Sequence, residues 1–123
     1  MAYDYVDAIE KGLWFFDANR CGPNAGSDNV FSSWRGACHT SDSAGGTDLT
    51  GGYHDAGDHV KFGLPQFWTA AVLGWTLYEY RDFFDSNGLT TKTLSVIKYC
   101  TDWILKCHAS SNILYYDLSL IHI

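Results

Sequence analysis

The chain has few basic residues: of its 123 residues, 8 are Lys or Arg and 14 are Asp or Glu, and the formal net charge is −6. It therefore has no basic stripe to neutralise the phosphates of a nucleic acid and no polybasic patch for an anionic membrane. Long apolar runs are missing too. A transmembrane helix needs about 18 apolar residues in a row, and the sequence contains no such window. We expect neither nucleic acid nor a membrane among the partners.

The first residues lack the basic region and apolar run of a signal peptide. Two alternatives remain open, a cytosolic protein or an exported one whose leader is not part of this chain. A chain of this length usually forms one domain, and its 46% hydrophobic content can supply a core.

Three segments have helical periodicity. Apolar residues recur at steps of three and four in residues 3–19 and 91–107, and residues 65–84 are apolar nearly all round. Asn87-Gly88 is a typical stop between the last two. Because a helix that is apolar on most faces needs neighbours on several sides, the pattern predicts an all-α fold that forms part of a larger assembly.

A long segment, residues 20–64, separates the first two predicted helices and contains nine of the twelve glycines. Loops of this length in compact domains are usually functional or disordered. Disorder fits poorly, because the segment also carries Cys, His and the aromatic residues Phe31, Trp34, Tyr53 and Phe62. We predict an ordered loop that is held in place by specific interactions.

The tetrapeptide "DAGD" places Asp55 and Asp58 around a short turn, where Gly57 permits a positive φ. Two neighbouring carboxylates titrate as a coupled pair, so that one can accept a proton while the other holds a water molecule. Activation of water for hydrolysis is the chemistry this suits. One alternative is that both acids make Asx-type turn hydrogen bonds. A calcium loop is the other, although the alternating ligands of an EF-hand are missing.

The four cysteines allow several arrangements. Cys100 and Cys107 lie seven residues apart in a predicted helix, which separates their Cα atoms by about 10 Å, beyond the reach of a disulfide. We predict that both are buried thiols. Cys21 and Cys38 could form a disulfide if the protein is exported.

A metal site is the alternative for the loop cysteines. Cys21, Cys38, His39 and His54 supply two thiolates and two imidazoles, the tetrahedral donor set that structural zinc prefers. Their spacing is irregular and does not match a zinc finger.

Several segments together resemble the N-terminal part of glycoside hydrolase family 9, the inverting cellulases. The likeness spans about residues 3–116 and is carried by "YDYVDAIEKGLWFFDANRCG", "SSWRGAC", "DLTGGYHDAGDHVKFGLP", "FWTAAVLGWTLYEY" and "ILYY". It implies that the chain is a fragment of an (α/α)6 barrel, with about three of the twelve helices. Residues 1–116 would be the N-terminal part of the catalytic domain. Residues 117–123, "DLSLIHI", resemble nothing in the family and are predicted to be a non-native or truncated tail.

The resemblance also implies a function, the hydrolysis of internal bonds of β-1,4-glucan with inversion by a secreted enzyme. Asp58 corresponds to the general base, and Asp55 to the residue that helps it hold the attacking water. The general acid of the family is a distant Glu with no counterpart here, so we expect the chain alone to be inactive.

One subgroup of the family carries a structural zinc bound by two Cys and two His, and Cys21, Cys38, His39 and His54 match its positions. We therefore expect zinc, and no organic cofactor.

Other loop residues have less defined roles. For substrate binding we single out Tyr53, Trp34 and His59, although the aromatic rings, Phe31 included, could equally pack under the loop. Arg35 is predicted to form a structural salt bridge, and Lys61, like His59, to line the cleft or face solvent.

Two rival functions remain: a non-catalytic zinc-stabilised helical module that binds carbohydrate or protein, and an (α/α)6 glycosidase acting on another β-glucan.

Overall fold

The computed structural model describes residues 3–26 and 34–118. In chain order the elements of this part are α1 (Tyr5–Ala18), β1 (Ser43–Ala44), β2 (Thr47–Asp48), β3 (Lys61–Phe62), α2 (Gly63–Glu79), α3 (Arg81–Ser86), α4 (Thr90–Cys107), β4 (His108–Ser110), β5 (Ile113–Leu114) and β6 (Asp117–Leu118). The strands form three short antiparallel pairs, β1 with β2, β3 with β6 and β4 with β5. The prediction of an all-α fold is confirmed.

The helix ends follow local chemistry. Asp4 caps α1 by accepting a hydrogen bond from the Asp7 amide at 3.0 Å. Pro65 lies in the first turn of α2, where backbone N–H groups have no partner within the helix, so the missing N–H group of proline costs no hydrogen bond. The predicted helix over residues 65–84 is divided at Tyr80, whose ψ of 33° ends α2, so the described residues contain four helices instead of three. The sequence hides this break because the apolar pattern continues through Phe84.

The core lies between α2 and α4, with α1 packed against α4. The predicted stripe of α4 is buried: Val96, Cys100, Trp103 and Cys107 are each at most 3% exposed. Cys100 and Cys107 are free thiols, as predicted, and burial raises their pKa values to about 12 and about 11.

The outer face of α2 lacks a neighbour among the described residues. Large apolar side chains along it are exposed, namely Leu64, Trp68, Val72, Trp75 and Tyr78. Such a face is what part of a larger assembly requires. In residues 3–26 and 34–118, none of the helices is both long and apolar enough to cross a membrane.

Short backbone pairings order the long loop. Isolated bridges join Arg20 to Tyr53 and Gly22 to Cys38, while Lys61 and Phe62 of β3 pair with β6. Strand β6 therefore lies at the predicted boundary between residues 116 and 117. Residues 119–123 and Phe31 fall outside the described residues, and the non-native tail stays a prediction.

Trp103 of α4 forms the floor of this loop. It is 2% exposed, and its indole N–H donates to the Leu49 carbonyl at 3.0 Å. Gly52, with φ of +74°, passes so close that an added Cβ would lie 2.8 Å from the Trp103 ring and 2.9 Å from the Gln66 side-chain oxygen. The loop backbone therefore approaches the core more closely than any residue with a side chain would allow.

We predict that Gly52→Ala lowers the free energy of unfolding by about 2–4 kcal/mol, because it adds a left-handed backbone cost to a clash in the core. The matched control is Gly74→Ala in α2, where an added Cβ meets nothing within 4 Å. Ala there should stabilise the helix by about 0.5–1 kcal/mol. Urea unfolding of both variants is the measurement, and equal stabilities would contradict the placement of Gly52.

Candidate functional site

Two cysteines and two histidines converge in the long loop. The ligand atoms of Cys21, Cys38, His39 and His54 all lie within 4.8 Å of one another. The Cys38 Sγ and His54 Nε2 atoms are 4.0 Å apart, and the centroids of the two imidazole rings are 4.7 Å apart. The structure thus brings together all four predicted ligands. Cys21 and Cys38 are free thiols, which differs from the disulfide alternative.

Backbone hydrogen bonds hold the segments that carry these ligands. The Cys21 amide donates to the Gly52 carbonyl at 2.8 Å, and the His54 amide donates to the Asn19 carbonyl at 3.0 Å. Cys38 exchanges two such bonds with Gly22, at 2.9 and 3.1 Å. Residues 19–22, directly after α1, are therefore the common support of the cluster.

The histidines of the cluster fit a metal. His39 has a buried Nδ1 atom without a hydrogen-bond partner in the described part of the chain, and its φ of 48° lies in the left-handed region. Native structures rarely leave a buried ring nitrogen without a partner, and a bound metal ion would supply one. The His54 Nδ1 atom lies 3.2 Å from the His59 carbonyl oxygen. Since a carbonyl only accepts, Nδ1 carries the proton and Nε2 keeps a lone pair for a ligand.

Burial sets the electrostatics of the cluster. Desolvation, helped by His39, lowers the pKa of His54 to about 4, which keeps this imidazole neutral at pH 7. Desolvation raises the pKa of the Cys21 thiol to about 12, against the opposing effect of the Lys61 ammonium. A metal would have to displace the thiol proton, so that binding releases protons. Two sulfur and two nitrogen donors suit a four-coordinate divalent metal.

The paired acids Asp55 and Asp58 lie directly beyond this cluster, and both are exposed. Their turn is closed by two backbone bonds at 3.2 Å, from the Asp55 amide to the Val60 carbonyl and from the His59 amide to the Ala56 carbonyl. The Asp58 Oδ1 atom also accepts from the Val60 amide at 3.3 Å, as the Asx-turn alternative foresaw. This bond engages one carboxylate oxygen and leaves the other open to another molecule.

Gly57 does not use the positive φ that a glycine permits. The left-handed residue of the turn is His59, with φ of 59°. A non-glycine residue in this conformation directly after Asp58 places backbone strain beside the paired acids, as occurs at functional sites.

The three residues predicted to bind substrate have different surroundings. Trp34 is 70% exposed, and His59 is exposed with its ring 5.0 Å from that of His54. Tyr53 is only 6% exposed; its hydroxyl donates to the Val96 carbonyl at 3.2 Å, and burial raises its pKa. Because the Tyr53 ring packs edge-on against core rings, the core-packing alternative describes it better than stacking on a sugar.

The prediction for Lys61 is wrong. Lys61 neither lines a cleft nor faces solvent, because it is completely buried and forms an ion pair with Asp42 at 2.6 Å. Arg35 donates to the Arg20 carbonyl and approaches the Cys38 sulfur at 3.4 Å, and the salt bridge expected of it stays a prediction.

Gln66 was not anticipated at all. Its side chain makes two hydrogen bonds at 3.0 Å to the backbone of Tyr53, next to His54. The sequence did contain a signal for this contact, because Gln66 is a single amide in an otherwise apolar helix face. A polar side chain in such a position is usually buried with its hydrogen bonds satisfied.

We predict that the metal-free chain loses stability as the pH falls from about 6.5 to about 4. Burial lowers the pKa of His54 in the folded chain from its ordinary value of 6.5 to about 4, so protons bind the unfolded state first and this contribution to stability is present only at higher pH. Over the whole pH range between these two pKa values, the free energy of unfolding falls by about 3 kcal/mol. Urea unfolding at several pH values should show a weaker pH dependence in His54→Gln. An NMR titration that places the His54 pKa near 6.5 would contradict this environment.

Comparison with known proteins gives the family. The sequence model of glycosyl hydrolase family 9 matches residues 5–120. Endoglucanase A of Bacillus pumilus is 45% identical over 112 residues, which are 90% of this chain and 17% of the relative. Endoglucanase 7 of Oryza sativa subsp. japonica is 40% identical over 118 residues, 95% of this chain and 22% of the relative. The chain thus spans about a fifth of the curated relatives that it matches.

Solved structures share the fold. The cellulase Cel9M of C. cellulolyticum is 59% identical with a TM-score of 0.87, over 94% of this chain and 27% of that one. The endoglucanase from the termite Nasutitermes takasagoensis is 39% identical with a TM-score of 0.88, over 95% of this chain and 27% of that one. From its match to the family over nearly its whole described length and from these shared folds, the chain belongs to glycosyl hydrolase family 9, and its helices form part of the (α/α)6 barrel.

Proposed function

We propose that the longer protein carrying this chain is a secreted endo-β-1,4-glucanase that cleaves internal bonds with inversion. The observation that supports this most is the exposed Asp55–Asp58 turn, built directly onto a four-ligand cluster through His54. The names of the relatives agree, since they are endoglucanases, and Cel9M has been solved in complex with cellobiose.

In this proposal Asp58 is the general base. Its oxygen that does not accept from Val60 takes a proton from water, while Asp55 orients that water. The water oxygen forms a bond to the anomeric carbon as the glycosidic bond breaks, and the leaving oxygen takes a proton from a general acid. Inverting enzymes hold this acid roughly 6.5–9.5 Å from the base. A Glu outside residues 1–123 supplies it, so the chain alone is inactive.

The exposed ring of Trp34 and the imidazole of His59 are the proposed substrate contacts. An aromatic face that is open to solvent suits a glucose ring, whose axial C–H groups are apolar. Tyr53 takes no part in this surface, because its ring and hydroxyl are both used inside the core.

The metal is proposed to be zinc, held by Cys21, Cys38, His39 and His54. Its role is structural: it cross-links segments of a loop with few hydrogen-bonded strands and so holds the backbone beside Asp55. The unpaired Nδ1 of His39 and the neutral imidazole of His54 support this donor set.

We predict that the purified chain contains about one zinc per molecule. At free zinc about 1,000-fold above the dissociation constant, zinc adds about 4 kcal/mol to the free energy of unfolding, and a chelator removes this stabilisation. Cys38→Ser should lose the metal, whereas Cys107→Ser, outside the cluster, should keep it. Metal analysis and urea unfolding check this. Protein without zinc and with Cys21 and Cys38 oxidised would refute the proposal.

The catalytic proposal is tested in a chimaera in which residues 5–118 replace the matching segment of Cel9M. We expect hydrolysis of a soluble β-glucan with an inverted product anomer, and no hydrolysis by the isolated chain. Asp58→Asn should lower kcat by about 10²–10⁴-fold, because proton transfer to the base is lost. Asp82→Asn, an exposed acid in α3, is the matched control.

Full activity of the Asp58→Asn chimaera, or turnover by the isolated chain, would contradict this assignment. Product analysis on cellulose, lichenan and xylan separates a cellulase from a glycosidase of another β-glucan. Binding of glucan without turnover in the chimaera would favour the non-catalytic module.

A further inference from the structure

Lys61 has surroundings that are unusual for a lysine. The residue is completely buried, and its ammonium group has three partners: the Asp42 carboxylate at 2.6 Å, the Leu49 carbonyl at 2.7 Å and the Gly51 carbonyl at 3.1 Å. The Trp103 ring, 5.5 Å from the nitrogen, closes another side. The ammonium group thus donates to both carbonyls and forms an ion pair with the carboxylate.

Such an arrangement is costly to build. Taking an ammonium and a carboxylate out of water costs several kcal/mol per ion, and an apolar side chain of similar volume would often be at least as stable. Stability alone therefore explains Lys61 poorly. What the ammonium provides, and an apolar side chain cannot, is a fixed position for the two backbone carbonyls.

In the order of the chain, the residues that carry these two carbonyls and Lys61 itself lie on opposite sides of the paired acids. Leu49 and Gly51 precede Asp55 in the chain, and Lys61 follows Asp58. The Lys61 side chain thus joins the entry and the exit of the segment that carries both carboxylates. The exposed turn itself contains only a few hydrogen bonds, at 3.2–3.3 Å.

The same carbonyl segment supports the metal cluster. Gly51 and Gly52 are both left-handed, and the Gly52 carbonyl accepts from the Cys21 amide at 2.8 Å. A displacement of residues 49–51 would therefore be transmitted to Cys21 on one side and to Asp55 on the other.

We propose that Lys61, paired with Asp42, is a positioning residue for Asp55 and Asp58. It acts through the carbonyls of Leu49 and Gly51, fixes the distance between the two ends of the catalytic loop, and does not touch the substrate. The inference rests on the proposed hydrolase function and assigns to this function a residue outside both the carboxylate pair and the cluster.

The test compares variants in the zinc-loaded Cel9M chimaera. Lys61→Met keeps most of the volume but removes all three polar contacts, and Asp42→Asn keeps the shape but removes the carboxylate charge. Leu13→Ala, a core truncation in α1, controls for general destabilisation. Lys98→Met controls for loss of a lysine, since Lys98 forms an exposed pair with Asp102 on α4.

We expect Lys61→Met to lower kcat by at least 30-fold with KM within about threefold of the parent, and Asp42→Asn to lower kcat by at least fivefold. Lys98→Met should leave both constants unchanged, and Leu13→Ala should lower the urea midpoint without changing kcat below that midpoint. Amide exchange in the full 123-residue chain gives a second readout. The Asp55 amide, relative to α4 amides, should exchange at least tenfold faster in Lys61→Met.

Three results would overturn the proposal: an unchanged kcat in folded Lys61→Met, a raised KM at constant kcat, or an equal loss of kcat in Leu13→Ala. If Lys61→Met does not fold, Asp42→Asn is judged by the same criteria. Failure of the proposed function is recognised separately, because the parent chimaera would then be inactive or would tolerate Asp58→Asn.

Discussion

Closure of a long, glycine-rich loop is the constraint on which the rest of this structure depends. The loop has little secondary structure, yet it must carry two exposed carboxylates at defined positions. Two thiols and two imidazoles converge within 4.8 Å where its segments meet the end of α1. A metal bound there would replace the missing hydrogen-bond ladder, and the carbonyl after Asp58, that of His59, orients one of its imidazoles.

A second support lies on the core side of the loop. Four buried side chains contact the loop backbone or fill the space beneath it, namely those of Lys61, Asp42, Gln66 and Trp103. These polar contacts stabilise one loop conformation at the expense of desolvation. The two supports meet at Gly51 and Gly52, so the cluster and the buried ion pair act on the same backbone. The turn that carries Asp55 and Asp58 can then remain exposed.

Much of this arrangement could be predicted from the sequence. Apolar periodicity located α1 and α4 to within about two residues, and the four residues of the cluster were singled out by their chemistry together with the family resemblance. The division at Tyr80 was missed because one ψ angle changes while the apolar pattern continues. The burial of Lys61 was missed because an isolated lysine between apolar residues is usually a solvated one, and only the fold reveals three convergent acceptors. The left-handed backbone of His59 could not be read from the sequence, because Gly57 is the residue of the turn that most readily permits a positive φ.

The central claim is that a Cys2His2 metal site organises the loop beside the paired acids. X-ray absorption at the zinc edge of the zinc-loaded chain tests it most directly, since it counts the donor atoms. The account predicts two sulfur neighbours at about 2.3 Å and two nitrogen neighbours at about 2.0–2.1 Å. A shell of oxygen and nitrogen alone, or one sulfur in place of two, would contradict it.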